Sequence, residues 1–582
     1  MEHITGGELV ARMLKAEGVE VVFGIIDGSY FGLYANLRRH GIRLLSPRHE
    51  STAAHMAGAY ARLTGRLGVC IASNGPGAAN VLPGIAVENG EGNRVLVVSS
   101  WRRSGIVGPD RGGTYQYFDQ VGVTKPMTKW SGAASSFDRI PEVMRRAFRL
   151  SFRGRPGVVH VTIPEDLLNG TFPCAQPIQA PAQYRRTEPI EPSPALVGRA
   201  AALLLEASRP MIHAGSGVVH SGAADLLEAL AQALHAPVAT SWGGRAALDA
   251  RLPFAVPILP PLIDEVRRTA DVILALGTRF GETDWWGKRP YWGDPLAQRV
   301  IQVDCDEEIL GLNKPVALAV LSDVRTFLKA LLDEIGYREP ANAGERRATL
   351  EGYNATAKQM REFLLAMPGP RDQEPLHSPH VPLICREVFD DDAVLVIDGG
   401  NTAVWTNLFY ENRVPGCVMT TFKFGMLGAG VGHALGAKVA RPDRQVFAII
   451  GDGAMGMHPQ EIETAVRHDL PVIYVVLCDR QWGMVKYSQS MAMNSSRMME
   501  KRSLPPEQLI NTDFGEIRFD LLAQSMGAHG ERASNTAGLR AALERSLASG
   551  RCAVIHVDVD PVEHLWAPGL DVFKAMHQEP TE

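Results

Sequence analysis

Gln445-Val-Phe-Ala-Ile-Ile-Gly-Asp-Gly453 and Pro471-Val-Ile-Tyr-Val-Val-Leu-Cys-Asp-Arg-Gln481 decide the fold of this chain. Each begins as an apolar, β-branched run that reads as a strand buried on both faces, and each ends in a polar turn. Residues 460–468 between them carry helical periodicity, so the segment reads strand–helix–strand. Such a unit makes its strands parallel, and both turns then emerge at the carboxyl edge, where open α/β sheets bind ligands. Asp452, Asp479 and Gln481 therefore face one region. Gly451, Gly453 and Ala454 leave room for a phosphate against the backbone. An all-oxygen ligand set that keeps space for phosphate oxygens suits Mg2+.

The remainder of the chain repeats this alternation. At 582 residues it is too long for one core, and roughly three domains fit the usual domain size. A first block, residues 1–175, carries strand-like runs at 19–23, 67–72, 94–99 and 157–162, with helical patterns at 7–17 and 52–63. Residues 173–194 read as a linker rich in Pro, Gln and Ala. A middle block, 190–338, has strands at 210–214, 272–276 and 299–303. A polar, proline-bearing stretch at 339–382 leads to a third block at 375–560, with 561–582 as a tail; no internal repeat is visible by eye. The expectation is three doubly wound, mostly parallel α/β domains.

Bulk properties narrow the function. A formal net charge of −5 argues against nucleic acid or an anionic membrane as partner. Seven cysteines without a C-x-x-C pair suggest reduced thiols, and with neither a signal segment nor a long apolar run the expectation is a cytoplasmic protein.

Further motifs stand at predicted strand ends. Arg48-His-Glu-Ser-Thr-Ala-Ala-His-Met-Ala-Gly-Ala-Tyr-Ala-Arg62 opens a helix with Glu50 in its first turn, where an acid is favoured by about 0.3–1 kcal/mol. Ser73-Asn-Gly-Pro-Gly-Ala-Ala-Asn80 is a turn with a good helix start, and residues 113–120 read as a polar loop. Asp398-Gly-Gly-Asn-Thr402 follows a strand, and Phe424-Gly-Met-Leu-Gly-Ala-Gly-Val-Gly432 sets one large apolar residue amid glycines. In the middle block His213-Ala-Gly-Ser-Gly217 is a loose glycine turn that either holds a nucleotide or serves helix packing.

In order and spacing, these segments resemble the acetolactate synthase and pyruvate decarboxylase superfamily of thiamine diphosphate (ThDP) enzymes, across essentially the whole chain. The resemblance implies a pyrimidine-binding, a middle and a diphosphate-binding domain. It makes Glu50 the glutamate that activates the cofactor and Gln116 a hydrogen-bond donor to substrate. Gly400, Asn401 and Thr402 become diphosphate ligands, the Gly425 carbonyl faces the pyrimidine amino group, and Leu427 props the two rings. Gly451, Asp452, Gly453, Ala454, Asp479 and Met484 complete the cofactor site, with Mg2+ on Asp452, Asp479 and Gln481. Cys478-Asp479 stands where the family has Asn-Asn, which places a second carboxylate beside the diphosphate. The superfamily builds its sites between subunits, so a homodimer or homotetramer is implied, and residues 485–515 could form a lid.

Landmarks of biosynthetic acetolactate synthase are replaced. Ser488 stands for a channel tryptophan, Thr283 for an arginine, and Val256-Pro-Ile-Leu-Pro-Pro261 for a flavin-contacting segment. FAD is therefore not expected. The opening Phe23-Gly-Ile-Ile-Asp-Gly28 is similar to that of sulfoacetaldehyde acetyltransferase, and it sets Asp27 either near the reaction centre or at a helix cap. The resemblance implies decarboxylation of a 2-oxo acid with transfer of the carbanion to an acceptor. The alternatives are a flavin-linked 2-oxo acid oxidase and enzymes like sulfoacetaldehyde acetyltransferase or oxalyl-CoA decarboxylase.

Overall fold

The computed structural model describes residues 2–107, 111–175, 177–501, 505, 508–578 and 580. Three parallel sheets carry the three blocks. The first has six strands, ordered Arg43–Leu45, Val21–Gly24, Gly68–Ala72, Val95–Trp101, Val158–Pro164, Trp130–Ala133. The third has six, ordered Val418–Thr420, Val394–Asp398, Val446–Gly451, Val472–Cys478, Ala553–Asp558, His529–Ala533. Numbered by position in their own domains, both sheets follow one strand order. The repeat that the sequence hides is therefore present in the topology. The middle sheet has five strands, ordered Val238–Thr240, Pro210–Ala214, Val272–Leu276, Arg299–Asp304, Leu318–Leu321. Within each of these sheets, parallel pairing sends every strand's carboxyl end to the same edge.

The predicted strands form because their side chains are apolar in succession. Val472–Cys478 and Val158–Pro164 are buried at every position, as strands covered on both faces must be. The linker differs in part: Thr171–Cys174 pairs antiparallel with Glu2–Thr5 before the chain crosses to the helix Pro194–Glu206. Residues 339–382 are mostly helical, with Ala343–Ala366 forming one long helix. Its polarity concealed it, because only Ala343 and Arg346 are buried and one apolar stripe, Tyr353, Ala357, Met360 and Leu364, touches the core. The methionine-rich segment opens as the helix Gly483–Lys501, while residues 502–504 and 506–507 of the proposed lid lie outside the described residues.

The first and third domains meet along two helices, Glu50–Thr64 and Ala429–Ala440. Every residue from Glu50 to Arg62 is buried, so this helix has no solvent face. Small residues permit the contact. A Cβ at Gly432 would lie 2.8 Å from His55 Cβ, and one at Gly436 would lie 2.3 Å from the Met56 carbonyl oxygen. Gly436→Ala is therefore expected to overpack the seam and cost about 1–3 kcal/mol, read as a lower unfolding midpoint. Gly352→Ala, with open space around an exposed helical glycine, is expected to gain up to about 1 kcal/mol.

Candidate active site at the carboxyl edges of the first and third sheets

The third sheet delivers its turns to one place. Val394–Asp398 runs into Gly399, whose φ of 113° suits only glycine, and then into buried Asn401 and Thr402 at the start of the helix Asn401–Phe409. A Cβ on Gly451 would stand 3.1 Å from Thr402 Oγ1, and one on Gly400 would stand 3.0 Å from Met484 Cβ. At Gly483 it would lie 3.0 Å from Asn401 Nδ2 and 3.1 Å from Asp479 Oδ2. Gly453 backs onto Trp482, and Ala454 is buried in the short helix Asp452–Met455 beneath Gly428. Gly400, Asn401, Thr402, Gly451, Asp452, Gly453, Ala454, Asp479 and Met484 thus share one neighbourhood.

Two acids dominate its electrostatics. Asp452 accepts from the Gly453 amide at 2.7 Å and the Arg480 amide at 2.8 Å. Asp479 accepts from Gln481 Nε2 at 3.0 Å. Burial raises both carboxyls above the ordinary range, and at Asp452 the facing Asp479 charge raises it further. Among the described residues neither has a Lys or Arg ion-pair partner. Two hard oxygen donors facing each other beside glycine-rich turns fit a divalent cation bound with phosphate. The Gln481 amide is otherwise engaged, donating to Asp479 and to the Pro561 carbonyl at 2.6 Å and accepting from Lys486 Nζ at 2.7 Å. That leaves its main-chain carbonyl, rather than its side chain, as the group to offer a metal.

The segment before Ala429–Ala440 turns twice through left-handed glycines, Gly425 at φ 73° and Gly428 at φ 89°. Leu427 between them is half-buried against the core that holds Ala53 and Val431. Asp398 Oδ2 accepts from the Gly428 and Gly430 amides at 2.9 and 2.8 Å, joining this segment to the turn at Gly399–Thr402. Burial pushes Asp398 up to about 6.

In the first domain the Asn74–Gly77 turn brings the other candidates together. Glu50 begins its helix behind His49, whose Nδ1 accepts from the Ser51 amide at 3.2 Å. The Glu50 carboxylate is 8% exposed and accepts from Asn80 Nδ2 at 3.1 Å. A Cβ at Gly77 would lie 3.2 Å from Glu50 Oε1, and one at Gly75 would lie 2.7 Å from Gln116 Cβ. Gln116 is exposed, has φ 52°, and its carbonyl accepts from Asn74 Nδ2 at 3.2 Å. Asp27 is a cap: its carboxylate accepts from the Ser29 amide at 2.8 Å.

Among the described residues, no hydrogen bond of Glu50 reaches the third domain of the same chain; its hydrogen bond is to Asn80, inside its own domain. The neighbouring Arg48 amide donates to Glu461 at 3.0 Å, so contact with the third domain begins just before it.

His564 lies against the candidate site and carried no signal in the sequence, since it falls in the stretch read as a tail. It bonds Ser378 at 2.6 Å, and its carbonyl accepts from Trp405 Nε1 at 3.0 Å and Asn401 Nδ2 at 3.4 Å. Its Nε2 stands 3.9 Å from Asp479 Oδ2. Burial lowers its imidazole to about 3, so it backs the acids as a neutral group.

The middle-domain turn is closely packed: a Cβ at Gly215 would stand 2.2 Å from the Gly277 carbonyl oxygen. Lys423 of the third domain donates to Ser216 Oγ at 2.9 Å. Crowding by the three domains lowers the Lys423 ammonium although the residue keeps an exposed surface; Glu91 acts against the fall, and Arg155, Arg62 and Arg279 add to it. Asp306 caps a turn through the Glu308 amide and also holds the Arg155 amide at 2.9 Å. Asp304 accepts from the Asp306 amide at 3.0 Å. Both are loop and cap residues.

A three-domain fold with a buried glutamate on the first sheet's edge and paired acids on the third's defines a ThDP-type enzyme class. Comparison with known families agrees. Residues 4–123 match the N-terminal TPP binding domain, 197–331 the central domain and 398–557 the C-terminal TPP binding domain of thiamine pyrophosphate enzymes. A probable acetolactate synthase of Mycobacterium bovis is 31% identical over 95% of this chain and 96% of its own. The acetolactate synthase isozyme 3 large subunit of Escherichia coli is 28% identical, covering 97% and 96%. The probable acetolactate synthase large subunit of Methanocaldococcus jannaschii is 27% identical, covering 96% and 93%. The chain belongs to the thiamine pyrophosphate enzyme family. No described helix is long and apolar enough to cross a membrane.

The raised acids give a pH test. Folded protein holds protons on Asp452 and Asp479 that the unfolded chain has released above about pH 4. Their contribution to stability is present at low pH and declines as pH rises through the raised folded values. Without divalent ions the unfolding midpoint is expected to fall more steeply with rising pH in wild type than in Asp479→Asn. Adding Mg2+ is expected to flatten the wild-type curve.

Proposed function

We infer that the chain is a ThDP- and Mg2+-dependent 2-oxo acid decarboxylase/carboligase outside branched-chain biosynthesis, working as a homodimer or homotetramer. The observation that supports this reading best is the pairing of buried, helix-initiating Glu50 with the two-carboxylate turns of Asp452 and Asp479, on sheets of one topology. Relatives named acetolactate synthase support the same reaction class, while Ser488 and Thr283 distinguish this chain from the biosynthetic enzyme.

The roles follow from position. Asp452, Asp479 and the Gln481 carbonyl would hold Mg2+ against the diphosphate, with the Gly400–Thr402 turn and Gly451–Ala454 giving close backbone approach. Leu427 and the Gly425 carbonyl would fix the ring conformation. Met484 would line the cofactor beside Gly400. When bound, the cofactor supplies a thiazolium carbanion and an electron sink. Glu50 holds a proton at its carboxylate for exchange with the pyrimidine ring, and Asn80 keeps that carboxylate oriented. Gln116, carried on the loop that Asn74 and Gly75 support, would donate to the substrate. A glutamate whose described hydrogen bond stays inside its own domain is consistent with a site completed by a second subunit.

Glu50→Gln is expected to bind ThDP with little change, measured by calorimetry, and to lose turnover by about 10²-fold or more. Unchanged turnover would sink the assignment. Carbon dioxide release and product analysis across a panel of 2-oxo acids and aldehydes identifies donor and acceptor.

One observation favours a second reading: Arg155, Arg279 and Lys423 converge near the middle-domain turn, a setting suited to an anionic ligand. A flavin-linked 2-oxo acid oxidase would use that place, and the protein would purify yellow.

A further inference from the structure

Three helices of the two cofactor domains converge on one buried carboxylate. Glu88, fully buried, lies on the helix Pro76–Glu91. Its Oε1 is 2.8 Å from His55 Nδ1 and 2.8 Å from His433 Nε2. Its Oε2 accepts from Asn93 Nδ2 at 2.6 Å. His55 and His433 are also buried, and their rings meet edge to face with centroids 5.3 Å apart. Gly58 makes the space, since a Cβ there would lie 1.7 Å from Glu88 Oε2.

Each helix leads from a candidate site residue. Pro76–Glu91 begins with the turn that touches Glu50 and carries Asn80, the partner of its carboxylate. His55 rides on the helix that Glu50 starts. His433 rides on Ala429–Ala440, which follows Leu427 directly.

We propose that Glu88 is a positioning residue that locks the Glu50 helix, the Asn80 helix and the helix after Leu427 into one register. This rests on the ThDP reading given above. In a symmetric dimer that pairs each first domain with the partner's third domain, the register inside one chain sets the distance between Glu50 and the opposite Leu427. Glu88 touches no reacting atom; it acts through the helices.

Charge is consistent with a lock. Burial alone would raise the Glu88 carboxyl, but the His433 charge and hydrogen bonds from both imidazoles outweigh it and hold the group at about 2. Burial opposes the charge on His433, and Glu88 outweighs it, so His433 titrates above its ordinary value. His55 is lowered by burial and donates as a neutral ring. One anion and one cation therefore balance, in a place where an unpaired charge would be costly. A metal ion on the same three side chains is the competing occupant, because two histidines and a glutamate form a competent donor set. With both imidazole nitrogens already at hydrogen-bonding distance from one oxygen, the geometry favours protons.

The test uses full-length wild type, Glu88→Gln, Glu88→Ala, and Glu88→Ala combined with Gly58→Asp, which returns a carboxylate to the same cavity. Amide hydrogen exchange of the cofactor-free proteins is followed over residues 50–64, 76–91 and 429–440, and kcat is measured apart from ThDP half-saturation. Glu88→Gln is expected to speed exchange in all three segments and lower kcat roughly ten- to a hundredfold, with ThDP half-saturation shifted by less than about threefold. The combined variant is expected to recover most of the kcat that Glu88→Ala loses. Wild-type kcat or wild-type exchange in Glu88→Gln overturns the proposal, as does a stoichiometric metal in dialysed wild type. If Glu88→Gln does not fold, the combined variant decides: recovery supports the lock and no recovery overturns it. Failure of the ThDP reading shows separately, as wild type that does not bind ThDP.

Discussion

Close contact between two helices of small residues is the constraint on which the rest of this structure depends. Glu50–Thr64 and Ala429–Ala440 approach until Gly432 and Gly436 meet His55 and the backbone at Met56. Packed interiors hold such a contact in one arrangement, because a single methyl group has nowhere to go. The helix that starts with Glu50 is thereby set against the helix that follows Leu427. Two carboxyl-edge sites on separate sheets become parts of one rigid body. Glycine and alanine at the seam sacrifice side-chain burial for backbone proximity, and the fully buried strands on either side supply the apolar core.

The chemistry follows from what such edges expose. Parallel strands end in turns whose amides and short side chains point out of the sheet, which is where anions and their counter-cations are held. On the third sheet this yields Asp452 and Asp479, both raised by burial, so a divalent cation is the natural partner for the pair. On the first sheet it yields a single carboxylate, Glu50, sheltered by Asn80 and the Asn74–Gly77 turn. On the function proposed above, one site would stabilise charge and the other would handle a proton. Identical strand order in the two domains places these functions on matching edges.

Much of this was legible in the sequence because it rests on local patterns. Buried strands announce themselves as apolar runs, and glycine turns after them mark the edge. Asp452 and Asp479 could be named from such turns, whereas Glu50 and Thr402 were named by the resemblance to thiamine diphosphate enzymes. Other features were not legible, for reasons of distance. His564 sits in a stretch with no periodic signal, and only the chain's return to the third sheet's edge sets it behind Asp479. The helix Ala343–Ala366 was hidden because it buries little of its surface. Whether Gln481 would offer a metal its side chain or its main-chain carbonyl was open from sequence; the side chain's hydrogen bonds to Asp479, Pro561 and Lys486 leave the carbonyl.

The sequence by itself determined three parallel α/β domains, their order, and the residues at the strand ends, since period and turn chemistry are short-range properties. Tertiary structure decided which of those residues share a site. It brought Gln116 to Glu50 through one turn, doubled the topology of the first sheet in the third, and buried Glu88 between His55 and His433. Those pairings join residues tens to hundreds of positions apart, and only packing, which depends on volume and on the pairing of buried polar groups, selects among them.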